Sequence, residues 1–310
     1  MSLFFIKAGL QTSIQDLGRK GLMHLGISQS GTMDSVSMKK ANWLVNKPIN
    51  STVIEVTLIG PKIQFLNDIS FAICGAEFDL YLNGNLVFND ELIHAHKGDV
   101  LEFDKLLSGA RAYMAFSGKL NLSTLLNSYS THLTSQFGGF QNRQLKDSDS
   151  LDLTPTPIIE KRKLSSKYKT SYSGNYLLRC VESVESNQFS QSQTEQFFSQ
   201  NFAVTVDSNR MGIRLKGQPL LFETYQEIVS SGLVQGSIQI PLSGQAIISS
   251  VDGQTMGGYP RIANIISADL PLLGQLKAGD KINFILVDDS YATNALNQLQ
   301  ELENRMLNEL

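Results

Sequence analysis

Cysteine is nearly absent: Cys74 and Cys180 are the only thiols in 310 residues. That excludes a disulfide framework and, without C-x-x-C spacing, a structural zinc or dithiol redox site. Both stand in apolar runs, FAIC and YLLRCVE, where a buried, inert thiol is expected. An excess of positive charge is missing too. Lys and Arg total 26 against 29 Asp and Glu, a net charge of −3, so nucleic acid is not an expected partner. No apolar run approaches the ~18 residues that span a bilayer. The opening Met1-Ser-Leu-Phe-Phe-Ile-Lys7 has no basic start and no small-residue cleavage pattern after it. The expectation is a cytoplasmic protein with no membrane partner. Phosphate-loop, dinucleotide-fingerprint, H-E-x-x-H and G-x-S-x-G patterns are all lacking. His94 and His96 would share one face of a strand, but no third ligand stands near them, so a polar strand face is expected and no metal site.

What is there suits a large core. Hydrophobic residues make up 42% and charged ones 18%, a globular balance, and the length corresponds to about two domains. Short apolar runs broken by glycine, such as Val53 to Ile59, Phe71 to Cys74 and Arg111 to Phe116, indicate antiparallel barrels or sandwiches. One helix should open at Asp34 and stop before Pro48, and another should start at Ser192-x-x-Glu195, which has capping-box spacing. Residues 154–174, TPTPIIEKRKLSSKYKTSYSG, are rich in Pro, Ser and Lys and read as a linker. The expected plan is therefore a β domain over 1–153, a linker over 154–174, a second β domain over 175–290 and a C-terminal helix over 291–310. The helix would carry Ala295, Leu299, Leu302, Met306 and Leu310 on one stripe. Gly98-Asp99 and Gly279-Asp280 each precede an alternating strand, an echo consistent with two similar domains.

Three clusters set polar side chains among glycines, which let backbone turn tightly or approach a ligand. In the first, Gln15-Asp16-Leu-Gly-Arg19 is followed by Gly26-Ile-Ser-Gln-Ser30-Gly-Thr-Met-Asp34. Asp16 and Arg19 would hold an anion and activate a water, or else pair across a turn; Asp34 would join them, or else cap its helix. Gln15 and Ser30 are candidate substrate-binding residues. In the second, Asp207-Ser-Asn-Arg210-Met-Gly212, Arg210 would bind an anion or fix the turn. In the third, Asp252 to Arg261, the groups of Gln254, Thr255, Tyr259 and Arg261 suit an amide or carboxylate, against a plain hairpin with a Gly-Gly turn.

At these clusters the sequence resembles the allophanate hydrolase subunit 2-like, or biotin-dependent carboxyltransferase-like, family, which includes the C-type subunits of 5-oxoprolinases. The matching segments are TSIQDLGRKGLMHLGISQSGTMD, ANWLVN, IEVTLIGP, GARAYMAFSG, SNRMGIRL and GQTMGGYPRIANIISADLP, in that order. The resemblance implies two tandem cyclophilin-like β-barrel domains with a few short helices. It implies one component of an ATP-dependent 5-oxoprolinase, which opens 5-oxoproline to L-glutamate with ATP, and with Mg2+, in an assembled complex. The implied partners are a smaller carboxyltransferase-like subunit, the B-type component, and a third subunit, the A-type component. In that scheme Asp16, Arg19 and Asp34 are the catalytic candidates. Asp16 and Asp34 would orient or deprotonate water, and Arg19, Arg210 and Arg261 would meet anionic oxygens.

Two alternatives come with the family: a carboxyltransferase component of the urea carboxylase type, and a regulatory module bound to the small partner. The chain has no Met-Lys-Met motif, so no covalent biotin is expected on it. It departs from the family pattern at several positions: Tyr129 replaces an Arg, Lys119 and Ser148 replace glycines, and Ser231 replaces a Glu.

Overall fold

Phe71, Ala72, Ile73 and Cys74 are apolar at every position because the strand that carries them is covered on both faces. In the computed structural model, which describes residues 1–222 and 228–309, Phe71 and Ile73 pack with Ile54, Val56, Met114 and Phe116. Ala72 and Cys74, pointing the other way, meet Met38, Ala41 and Leu44. Those three belong to helix α1 (Ser35–Leu44), whose N-cap Asp34 accepts from the Ser37 N–H. Beyond Gly75 the same strand becomes one-sided, with Ala76, Phe78 and Leu80 buried and Glu77 exposed.

The chain divides into two compact units: Met1–Arg19 with Ser30–Tyr172, and Lys20–Gln29 with Ser173–Leu310. The first holds β1 (Leu3–Lys7), β2 (Gln11–Gln15), β3 (Val53–Thr57), β4 (Lys62–Phe65), β5 (Ile69–Leu82), β6 (Asn85–Val87), β7 (Leu92–Ala95), β8 (Val100–Phe116) and β9 (Ser150–Leu151). They form one sheet in the order β2-β3-β8-β4-β1-β9, with β5 on β8 and with β6 and β7 on β5. Residues 154–172 are fastened to this unit. The Leu92 N–H donates to the Arg162 carbonyl and the Leu164 N–H to the Asp90 carbonyl, each at 2.8 Å. Lys40 Nζ donates to Thr170 Oγ1 at 2.9 Å.

The second unit holds β10 (Asn175–Glu182), β11 (Phe202–Val204), β12 (Gly212–Lys216), β13 (Ser231–Gly232), β14 (Ser237–Gln239), β15 (Ile247–Ser249), β16 (Met256–Gly257), β17 (Arg261–Ile265) and β18 (Lys281–Leu286). Seven of these close into a barrel in the order β10-β17-β14-β15-β12-β11-β18, while β13 and β16 pair separately. Cross-strand partners Ile213, Ile248, Ile238 and Ala263 form a buried row inside it. The β reading of the sequence therefore holds, with a closed barrel in the second unit and an open strand path in the first.

Helix α2 (Gln191–Ser199) begins two residues before the expected position. Its capping box uses Ser190 and Gln193, which have the same spacing, and Glu195 instead accepts from Gln191 Nε2 one turn away at 2.8 Å. The helix sets Phe197 against Phe202 and Phe284, with ring centroids 5.1 and 5.0 Å away. Helix α3 (Asp289–Asn308) buries Ala295 and Met306. Leu302 of the expected stripe is exposed, and Leu310 lies outside the described residues.

The Gly-Asp echo is a shared turn. Asp99 accepts from the His96 N–H at 2.7 Å and Asp280 from the Lys277 N–H at 3.0 Å, three residues back in both cases. The residue before each Asp is a glycine with φ 98° or 90°, and it donates its N–H to a strand carbonyl, of Phe65 or Val204. A third copy ends at Asp149, which accepts from the Lys146 N–H at 2.7 Å. There Ser148, at φ 70°, stands where the others have glycine.

Candidate ligand-binding site

The candidate residues divide between the units: Gln15, Asp16, Arg19, Ser30 and Asp34 belong to the first, and Arg210, Gln254, Thr255, Tyr259 and Arg261 to the second. In the first unit the segment Ser128–Thr131 gathers four of them. Asp16 accepts from Ser128 Oγ at 2.7 Å, Ser130 Oγ at 2.5 Å, the Tyr129 N–H at 2.7 Å and the Gly18 N–H at 2.8 Å. Arg19 donates from Nη2 to the Ser130 carbonyl and lies 4.7 Å over the Phe137 ring. A Cβ at Gly138, where φ is +72°, would collide with its guanidinium. The Thr131 carbonyl accepts from Gln15 Nε2 at 3.1 Å and from Ser30 Oγ at 3.3 Å. Tyr129, in the position of the family's Arg, contributes its backbone, while the serines on either side hold Asp16.

Asp34 caps α1. Its carboxylate accepts from the Ser37 N–H at 3.0 Å and Ser37 Oγ at 2.6 Å, with the Tyr172 hydroxyl at 3.4 Å. The backbone before it is held by two residues that sequence reasoning passed over. Glu55 accepts from the Met33 N–H at 3.0 Å and the Tyr113 hydroxyl from the Asp34 N–H at 2.8 Å. Burial, with the Glu55 and Asp34 charges nearby, pushes the Tyr113 phenol well above its ordinary value, so it stays protonated. The signal for Glu55 was present: it is a lone acid inside the apolar run Val53-Ile-Glu-Val56.

In the second unit the barrel's outer face carries the row Arg214, Ile247, Gln239, Arg261, each the cross-strand partner of the next. Arg261 reaches it through a bulge. Ile238 pairs with Ala263 but Gln239 pairs with Arg261, so Ile262 is the extra residue, and the slip turns Arg261 to the same face as Gln239. Next to this row is a cleft of about 490 Å3 whose polar lining includes Asn209, Arg214, Gln239, Ser249, Gln254 and Tyr259. Three glycines, Gly212, Gly257 and Gly258, give it backbone walls. A Cβ on Gly257 would come within 2.9 Å of Gln239 Oε1.

Of the expected residues, Gln254 and Tyr259 line the cleft, while Arg210 and Arg261 are braced to protein. Arg210 donates through Nε and Nη2 to both oxygens of Asp252, at 2.8 and 3.0 Å, with both side chains buried. Arg261 donates to both oxygens of Glu185, to the Gly232 carbonyl at 2.6 Å and to Ser231 Oγ at 2.8 Å. Burial pushes the Glu185 carboxyl up, but the hydrogen bonds and charge of Arg261 outweigh it and hold the group below its usual range. Thr255 accepts, through its carbonyl, the Leu233 N–H at 2.9 Å. Arg214, exposed on β12, is the cleft's guanidinium and was not among the expected residues. It stands in the quoted segment SNRMGIRL, two strand positions beyond Gly212.

The carboxyltransferase domain, subdomain A and B, matches residues 25–286. This chain belongs to that family. It is 35% identical to the C-type subunit of the 5-oxoprolinase of Escherichia coli (strain K12), over 91% of this chain and 90% of that one. The identity to its Haemophilus influenzae counterpart, also a 5-oxoprolinase C-type subunit, is 34%, over 88% and 87%. The crystal structure of the Kluyveromyces lactis urea carboxylase superposes with a TM-score of 0.92 at 27% identity, covering 98% of this chain and 29% of that one. The chain thus spans under a third of that larger carboxylase. Among the described residues, Arg214 is the one basic side chain lining the cleft, and a neighbouring cavity of about 750 Å3 has none. Nor do the described residues hold any group of three His, Cys, Asp or Glu placed for a metal. No described helix is long and apolar enough to cross a membrane.

Proposed function

We propose that this chain is the component of an ATP-dependent 5-oxoprolinase that holds the lactam substrate, acting with a smaller B-type subunit and a third, A-type one. The observation that carries this reading is the cleft, in which one guanidinium faces neutral amide and hydroxyl groups. 5-Oxoproline presents a carboxylate beside a cyclic amide, the two functions that Arg214 and the amide and hydroxyl groups of Gln239, Gln254 and Tyr259 are suited to bind. The identity to the C-type subunits of two 5-oxoprolinases supports it. Urea, the substrate of the alternative reading, has no carboxylate for Arg214.

Arg210 and Arg261 brace the loops around the cleft, and Asp16, Arg19 and Asp34 position the backbone of the first unit. ATP would supply the activation of the amide carbonyl, and we assign the nucleotide and its Mg2+ to the assembly, because among the described residues Arg214 is the one basic side chain that lines either the cleft or the neighbouring cavity. The test offers 5-oxoproline and urea separately, with ATP, to the co-expressed assembly carrying wild-type chain or Arg214→Ala. Turnover of 5-oxoproline alone, with KM raised about tenfold or more in the variant, is expected from loss of a charge-assisted pair. Turnover of urea, or an unchanged KM for 5-oxoproline, contradicts the reading.

A further inference from the structure

Gln239 differs from the other amides of the cleft in its burial. It is 8% exposed, whereas Asn209, Arg214, Gln254 and Tyr259 all stand at the surface. Its carboxamide hydrogen-bonds to no described residue, and its oxygen and nitrogen both keep accessible surface in the cleft. Buried polar groups in folded proteins are paired as a rule, so a buried amide left open on a cleft points to a ligand that pairs with it. Gly257 makes the room for this amide, since a Cβ there would come within 2.9 Å of Gln239 Oε1.

A primary carboxamide carries a donor and an acceptor side by side. A five-membered lactam has its N–H and C=O held cis, on one edge, and so meets both at once. Nε2–H would donate to the lactam oxygen, and the lactam N–H to Oε1. An open-chain secondary amide is trans, turns its two groups to opposite edges, and can satisfy only one of them. Arg214 and Gln239 are each cross-strand partners of Ile247, which puts their backbones two strand spacings, about 10 Å, apart. A small ring with a carboxylate beside its amide can bridge two side chains so placed. Its charge then stays at the exposed guanidinium and its neutral amide goes to the buried residue, the order that costs least in lost hydration.

We propose that Gln239 is the specificity-determining residue of the cleft, its carboxamide pairing edge to edge with the cis amide of a lactam. This rests on the oxoprolinase reading and adds to it which group reads the ring. The test titrates the full chain by calorimetry with 5-oxoproline and with the matching lactone, 5-oxotetrahydrofuran-2-carboxylate. The lactone keeps the ring, the carbonyl and the carboxylate but replaces N–H with an oxygen that faces Oε1 without a proton. Wild type should prefer the lactam about tenfold, the effect of one lost hydrogen bond and one unpaired acceptor. Gln239→Met, confirmed as folded by thermal melting, should bind the two within about twofold of each other. Gly257→Ala, which keeps the amide and crowds its oxygen, should narrow the preference, and Arg214→Ala should weaken both ligands alike. Equal binding of lactam and lactone to the wild type, or a full preference in folded Gln239→Met, would overturn the proposal and leave the oxoprolinase reading standing. Absence of saturable 5-oxoproline binding to the wild type would overturn both.

Discussion

Arg210 and Asp252 bind each other twice over, through the side chains at 2.8 and 3.0 Å and through the backbone, where the Asp252 N–H donates to the Arg210 carbonyl at 2.9 Å. The pair ties the turn after β11 to the turn after β15, and the latter carries Gln254 into the cleft. Removing one partner breaks a buried, doubly hydrogen-bonded ion pair. Asp252→Ala is expected to lose about 3–5 kcal/mol, read as a lower urea midpoint. Arg210→Lys, which keeps the charge without the fork, should lose less.

Glu185 and Ser231 give a test of compensation. Ser231 donates nothing that neutralises Arg261; it accepts from Nη2 at 2.8 Å, at the position where the family pattern has Glu. Here the balancing carboxylate comes from Glu185. Glu185→Gln should destabilise the second unit, and adding Ser231→Glu should restore most of the loss. Equal thermal melting of the single and double variants would contradict this account of the substitution at 231.

Ser148 has φ 70°, in the left-handed region, where Gly98 and Gly279 occupy the equivalent turns. An L side chain there costs about 1–2 kcal/mol, partly offset by the entropy that glycine loses on folding. Ser148→Gly is therefore expected to stabilise by about 0.5–1 kcal/mol. Gly98→Ala and Gly279→Ala should destabilise through the backbone alone, since an added Cβ meets nothing within 4 Å at either position. Denaturant midpoints of the three variants check the set.

The echo between Gly98-Asp99 and Gly279-Asp280 was legible in the sequence because glycine marks the turn; the Ser148 copy was not, because nothing in Ser-Asp signals a positive φ. Strand positions could be read from short apolar runs broken by glycine, and helix α1 from its cap. Gln254 and Tyr259 were readable as cleft residues from their glycine-rich setting. Arg214 was not, because an exposed Arg alternating with Ile213 and Leu215 matches any solvated strand face. Its place two strands from Gln239, across Ile247, depends on barrel register, and that of Arg261 on a bulge, neither of which is local in the chain. The roles of Ser128 and Ser130 were hidden for the same reason, since their partner Asp16 is 112 and 114 residues away.

Lys47 supplies a pH signature. Its Nζ donates to the Gly118 carbonyl at 3.1 Å. Burial, with a smaller push from Lys119, holds its pKa down to about 8. Between that value and the ordinary 10.5 the unfolded chain binds more protons than the folded one, so this residue makes stability rise with pH across the window. Lys47→Met should be more stable than wild type below about pH 8, and the gain should fade toward the upper end. Urea unfolding of both proteins across that range measures it, and a difference independent of pH would contradict the assignment.

Glutamate release tests most directly whether this chain holds 5-oxoproline for ATP-dependent opening, as proposed. The assay co-expresses the chain with its two proposed partners, supplies 5-oxoproline and ATP, and then omits each chain in turn. Glutamate formed only when all three are present is the expected result. Undiminished glutamate release in the absence of this chain, or none from a complete and stable assembly, would contradict the account.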